Sequence, residues 1–134
     1  MSCREGGGLD GVTTVRAIIV TPRPERLLAF YVEVLGAREV ERMPAEGPPF
    51  YVGLRLGDSD LGVVTDAAVD LDAPQRMLLS IEVPAVDPLL DRVAEVGGTV
   101  LGPPSDMPWG QRVVHLRDPD GNAVNLTQDL GSAA

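Results

Sequence analysis

The chain has 134 residues, of which 44% are apolar, enough for one domain with a real core. Eleven Lys and Arg against twenty Asp and Glu give a formal charge of −9. That balance argues against a nucleic-acid or anionic-membrane partner, because both require basic patches, and it would favour a cationic ligand. Cys3 is the sole cysteine, so neither an intrachain disulfide nor a multi-cysteine metal site can form. The first twelve residues, with Gly6-Gly7-Gly8, contain no apolar h-region, and no apolar run in the chain is long enough to span a bilayer. The expectation is a cytoplasmic protein with a disordered tail over residues 1–12.

Thr13 to Val20 is rich in Val, Ile and Thr and reads as a strand. Pro22 ends it, and Pro24 suits the first position of a helix. Leu27, Leu28, Phe30, Tyr31, Val34 and Leu35 follow at helical spacing, and Gly36 supplies a C-terminal stop. A short strand over Ala37 to Met43, a strand over Phe50 to Leu56 and a returning strand over Leu61 to Thr65 complete the first half. Residues 66–76 carry three aspartates, three alanines and a proline and read as a linker. Met77 to Val83 then reads as a strand, and Asp87-Pro88 as an N-cap and first helical residue. Leu89, Leu90 and Val93 line one helical face, Gly97-Gly98 stops the helix, and Thr99 to Leu101 is a short strand.

The last stretch, Arg112 to Gln128, places two alternating segments around the polar turn Asp118-Pro119-Asp120-Gly121-Asn122. Proline presets a turn corner, and Asp, Gly and Asn satisfy or tolerate the awkward backbone. This is a β-hairpin, with Val114 and Leu116 on one face and Val113 and His115 on the other. The halves repeat at an offset of about 62, with Pro24 matching Pro88, Gly36 matching Gly97, Leu54 matching Leu116 and Thr65 matching Thr127, and Gly102-Pro103-Pro104 also echoes Gly47-Pro48-Pro49. The chain therefore reads as α+β. Two tandem βαβββ modules, about 13–65 and 77–128, form curved mixed sheets around a cup, with helices on the outer face and a tail over 129–134.

Three motifs carry a resemblance to the vicinal oxygen chelate superfamily, the glyoxalase and bleomycin-resistance fold. They are Phe30-Tyr31 with Leu35-Gly36-Ala37, then Pro108-Trp109-Gly110, then the turn Asp118 to Asn122. The resemblance covers Thr13 to Gln128 and most resembles the metal-free bleomycin-resistance-like branch. It implies that relatives hold a divalent metal in the cup through His, Gln or Glu on four strands. The implied positions are Asn125, three residues after Asn122; Val63, one repeat earlier; Leu78; and its repeat mate Arg16, or Val15 with a one-residue insertion. Val and Leu have no donor atoms, Arg only donates, and Asn125 offers one neutral oxygen. A single histidine in the whole chain cannot rescue the set, so the expectation is no metal and no cofactor.

His115 is that histidine, placed beside Asn125 to hydrogen-bond a ligand or, alternatively, to sit satisfied in the sheet. Trp109 would stand at the cup mouth, where an indole stacks on a flat or cationic guest, or would pack against a loop. One of Phe50 and Tyr51 should point into the cup, with core packing the fate of the other. Arg16 either pairs with an acidic group inside the cup or lies at a strand edge. The cup is expected to be lined by Leu78, Val63, Val113, His115 and Asn125, with Tyr51 and Arg16 as further ligand-binding residues. Two functions are open. One is a homodimeric binding protein that sequesters a flat apolar or cationic small molecule such as an antibiotic. The other is a metal-independent or degenerate lyase, isomerase or dioxygenase relative.

Overall fold

The structure, a computed structural model, describes residues 16–75 and 77–131. The expected N-terminal tail, Val15, Arg76 and the last three residues lie outside the described residues. The order is β1 (Ala17–Thr21), α1 (Pro24–Leu35), β2 (Arg38–Met43), β3 (Tyr51–Leu56), β4 (Ser59–Thr65), β5 (Leu79–Glu82), α2 (Leu90–Glu95), β6 (Thr99–Val100), β7 (Ser105–Asp106), β8 (Gln111–Arg117) and β9 (Ala123–Asp129). One sheet runs β1-β4-β3-β2 and the other β5-β9-β8-β6, with β7 also on β8. In both, the first strand runs parallel to the last and the remaining pairs are antiparallel. The architecture is thus α+β, built from two βαβββ modules, with the strand after the helix of the second module broken into β6 and β7, both paired with β8.

Helix α1 forms because Leu27, Phe30, Tyr31 and Val34 fall at i, i+3, i+4 and i+7, giving one apolar stripe. Pro24 opens it, and Gly36 closes it in the left-handed region at φ 73°, with Ala37 N–H returning to Tyr31 O at 3.1 Å. The stripe is buried against Val52, Leu54, Leu61 and Val63 of the first sheet and Val114, Leu116, Val124 and Leu126 of the second. Each such side chain contributes about 1.5–3 kcal/mol of burial. One core therefore serves both sheets. The second helix is shorter than its spacing suggests. A 3-10 turn occupies Asp87–Leu89 before α2, and Asp87 caps nothing; its carboxylate instead accepts from Arg112 Nη1 at 2.9 Å.

The two modules are joined by polar contacts as well. Tyr31 Oη, on α1, donates to Asp118 Oδ2 at 2.8 Å. Asp118 also accepts from Asp120 N at 3.0 Å, Asn122 N at 2.9 Å and Asn122 Nδ2 at 2.8 Å. Arg26, a turn before Tyr31 on α1, reaches Asp120 Oδ1 at 3.0 Å, and that carboxylate is almost wholly buried. The second-module hairpin turn is therefore locked onto the first-module helix. Gly98 allows the same approach, since a Cβ there would stand 2.7 Å from Phe30 Cε1.

Burial pushes the Tyr31 phenol well above its ordinary range, and the Asp118 charge and hydrogen bond push the same way. Burial also raises the Asp118 carboxyl, against the pull of its hydrogen bonds. A phenol with a raised folded-state pKa contributes stability that is complete below the ordinary tyrosine value of about 10 and is lost as pH rises above it. Tyr31→Phe is expected to lower the unfolding free energy in urea by about 1–3 kcal/mol at pH 7. It is also expected to flatten the fall in Tm between pH 9 and pH 11. An unchanged alkaline slope would show that this phenol is not the titrating group.

Candidate functional site

Strands β8 and β9 turn Val114, Leu116, Val124 and Leu126 towards the helices, so Val113, His115, Asn125 and Thr127 take the opposite face, where His115 is exposed, Asn125 half-buried, and Val113 and Thr127 buried. His115 and Asn125 pair directly across the ladder, with Nδ1 2.7 Å from Asn125 Oδ1. An amide oxygen only accepts, so Nδ1 carries the hydrogen in this contact, and Nε2 accepts whenever the ring is neutral. Val113 lies one step along the same face, opposite Thr127, and Ser80 of β5 stands beside Asn125. The pair is thus a hydrogen-bonding point on a sheet face with apolar neighbours.

The first sheet arranges its open face differently. Arg16, just before β1, donates through Nη1 to Tyr51 Oη at 3.2 Å, and its Nη2 is 3.8 Å from Asp60 Oδ2. Arg55 reaches Asp60 from the other side at 3.1 Å. Tyr51 is therefore the open-face member of the Phe50–Tyr51 pair. Phe50 is not in the core as expected. It precedes β3 at the sheet end and is 61% exposed.

Val63 does not face the cup. It is 1% exposed and packs in the helix-side core. The reason is a difference between the two hairpin turns. Val52 pairs with Val63, and Val114 pairs with Leu126. The offset between halves is 62 before the turn, from Val52 to Val114, but 63 after it, from Val63 to Leu126. A one-residue shift in a strand exchanges its faces. The repeat mate of Asn125 is consequently Gly62, and the mate of His115 is Gly53.

The open-face positions that the resemblance marks for metal ligands are then Arg16, Gly62, Leu78 and Asn125. They do not fit a divalent ion. Gly and Leu carry no donor, Arg is a permanent cation tied to Asp60 and Tyr51, and the Asn125 oxygen already accepts from His115. Among the described residues no three His, Cys, Asp or Glu side chains are grouped as metal donors would be.

Two cavities lie where β1 and β5 face each other. The larger, about 660 Å³, runs from Ala17 and Asp60 to Ser80 and Glu82. The smaller, about 360 Å³, is lined by Ile18, Val20, Met77, Leu78 and Ala123. Both fall in the range of small-molecule sites. Leu78 lines the smaller one; Tyr51, Val113, His115, Asn125 and Trp109 line neither. Trp109 is 69% exposed in the loop before β8, its indole N–H donating to Gln111 Oε1 at 3.0 Å. The sites read from sequence therefore divide into a His115–Asn125 pair, an Arg16–Tyr51 pair, an exposed Trp109 and a Leu78 groove. The Asp60 link between Arg16 and Arg55 was not anticipated. Nor was the glycine pair Gly53–Gly62, although two glycines inside strands are an available signal of close approach.

The face assignment is testable by stability. Val63→Ala is expected to cost about 1–3 kcal/mol in urea melts, as a core truncation does. Asn125→Ala is expected to cost less than about 1 kcal/mol, as an open-face change. The reverse order would mean that the register of β4 is misassigned.

A profile of the "Glyoxalase/Bleomycin resistance protein/Dioxygenase superfamily" matches residues 12–126. The chain is 29% identical over 103 residues to the "Putative glyoxylase CFP32" of Mycobacterium bovis and of Mycobacterium tuberculosis, covering 77% of this chain and 39% of each relative. It thus spans about two fifths of the length of these curated relatives. Among solved structures, it resembles a glyoxalase/bleomycin resistance protein/dioxygenase family enzyme from Burkholderia phytofirmans PsJN at TM-score 0.73 and 25% identity, over 86% of this chain and 97% of that one. TioX from Micromonospora sp. ML1 gives 0.70 at 24% identity, over 89% and 100%. The fosfomycin resistance protein FosX from Mesorhizobium loti gives 0.66 at 18% identity, over 93% and 95%. No helix among the described residues is long and apolar enough to cross a membrane. The two repeated modules, the locked hairpin turn and the profile match together place the chain in the glyoxalase/bleomycin resistance protein/dioxygenase superfamily, and it belongs to that family.

Proposed function

We propose that this protein binds and sequesters a flat, mostly apolar or cationic small molecule of the antibiotic type, without a metal, as a homodimer. The observation that carries this reading is the donor set. Arginine, glycine, leucine and asparagine stand at the four open-face positions where metal ligands are implied. The same faces offer apolar surface and one oriented His–Asn pair, and an exposed indole stands in the loop before β8, the kinds of group found at small-molecule sites. Formal charge −9 raises the local concentration of a cationic guest and makes its binding salt-sensitive. FosX, by its name a fosfomycin resistance protein, has the same fold. At 18% identity that likeness extends no further, so the ligand-binding reading rests on the residues here.

Exposed apolar side chains support the homodimer. Ile18, Met77 and Leu78 are each more than half exposed along the β1–β5 seam, and a second copy covers such a surface by symmetry. Light scattering is expected to give twice the chain mass; a monomer at every concentration would remove the dimer and leave the fold intact.

The second reading, a metal-independent enzyme, is favoured by Nε2 of His115, which has no hydrogen-bond partner among the described residues and could accept a proton from a substrate. Titration separates the two. Flat, basic natural products, bleomycin-like or intercalating, are expected to change Trp109 fluorescence saturably. Trp109→Ala is expected to weaken binding by roughly 1 kcal/mol, and His115→Ala by less. Elemental analysis of protein purified without chelator is expected to find well under one equivalent of Ni, Fe, Mn, Co or Zn. A broad panel with no saturable binding would favour the enzyme, and a stoichiometric metal lost with Asn125→Ala would overturn the donor-set argument.

A further inference from the structure

The open face of the first sheet holds a ring where its counterpart holds a polar pair. Gly53 and Gly62 face each other across β3 and β4. A Cβ on Gly62 would stand 2.9 Å from Tyr51 Cε1 and 3.2 Å from Tyr51 Oη. A Cβ on Gly53 would stand 3.4 Å from the same hydroxyl oxygen and 3.5 Å from Cε2. Opposite edges of one ring therefore approach opposite strands, while its long axis runs from residue 51 towards residue 53. Both in-plane axes of the ring lie along the sheet, so the phenol rests flat on the glycine pair. Its hydroxyl is held by Arg16 Nη1 at 3.2 Å, and Arg16 is held in turn by Asp60. In the second sheet the corresponding positions carry Val113, His115 and Asn125.

We infer that Tyr51 is a stacking floor, and that the face of its ring turned away from Gly53 and Gly62 receives a flat aromatic ring of the ligand. A ring lying on backbone keeps one π-face available, and Tyr51 is only partly buried. Gly62 is required because any side chain there would lift the ring edge, whereas a Cβ at Gly53 would meet the ring at ordinary contact distance. Arg16 restrains the ring from swinging off the sheet, which lowers the entropy cost of stacking on it. Tyr51 thereby selects planar guests over equally apolar non-planar ones. This inference rests on the small-molecule reading above and specifies the class of guest.

The test uses the full chain with proflavine, a flat tricyclic cation, and amantadine, a cation without a planar ring. By fluorescence anisotropy, Tyr51→Phe, which keeps the ring but loses the hydrogen bond from Arg16, is expected to bind proflavine less tightly than wild type and more tightly than Tyr51→Leu. Tyr51→Leu and Gly62→Ala are expected to weaken it by about three- to tenfold, the range of one aromatic contact. Competition by amantadine is expected to be weak in all four proteins. In NMR spectra of the ligand-free protein, the Gly62 Hα resonances are expected upfield and to lose that shift in Tyr51→Leu. The NMR readout stands even if Gly62→Ala folds poorly. If Tyr51→Leu binds proflavine as wild type does while Trp109→Ala weakens it, the floor is overturned and the binding function stands. Saturable binding by wild type of neither cation would overturn both.

Discussion

The contact on which the molecule depends is the hydrogen bond from Tyr31 to the buried carboxylate of Asp118, 2.8 Å long. A buried carboxylate is costly unless its lone pairs are filled, and Asp118 fills them from its own turn and from the helix of the other module. Hairpin turns usually lie in solvent. This one is inside, because Asp120 also finds Arg26 on the same helix. The consequence is a shared core. Leu27, Phe30 and Val34 can pack against both sheets because the turn is anchored beside them. Two repeats of one motif become a single folded unit through this lock and through Gly98, whose missing side chain admits Phe30.

With the helix-facing sides of both sheets committed to the core, their opposite faces are the ones left for the proposed ligand. There the two modules have diverged at equivalent positions. One presents Tyr51 over two glycines, and the other presents His115 bonded to Asn125. Aromatic surface and an oriented hydrogen-bond acceptor are complementary ways of holding one small molecule, the first for area and the second for orientation. The arginines on the first face do not add free positive charge in proportion to their number, because Arg16 and Arg55 share Asp60. These exposed pairs hold geometry more than they stabilise the fold.

Much of this was legible in the residues alone. Helical spacing around Phe30-Tyr31, the Gly36 stop, the alternation of Val113 to Leu116 and the turn Asp118 to Asn122 are local signals, and local signals determine local structure. They pointed to the α+β class and the two βαβββ modules, and the motifs among them carried the resemblance that the profile match bears out. The poverty of donors at the marked positions was equally plain, since one histidine serves the whole chain.

What the residues did not contain was face and partner. Val63 looked like the mate of Asn125 because a single offset was carried through both hairpins. The turns differ by an odd residue count, and only the paired ladders reveal that Gly62 is the mate and Val63 belongs to the core. Asp87 read as a helix cap, but the proximity of Arg112 drew its carboxylate away. Tyr31 read as core, which it is, yet its hydroxyl needed an acceptor 87 residues further along the chain, which no local pattern names. Sequence thus determined the elements and the family. Tertiary pairing decided which side of each strand enters the core and which is left open, because strand register is a long-range property and one residue reverses it.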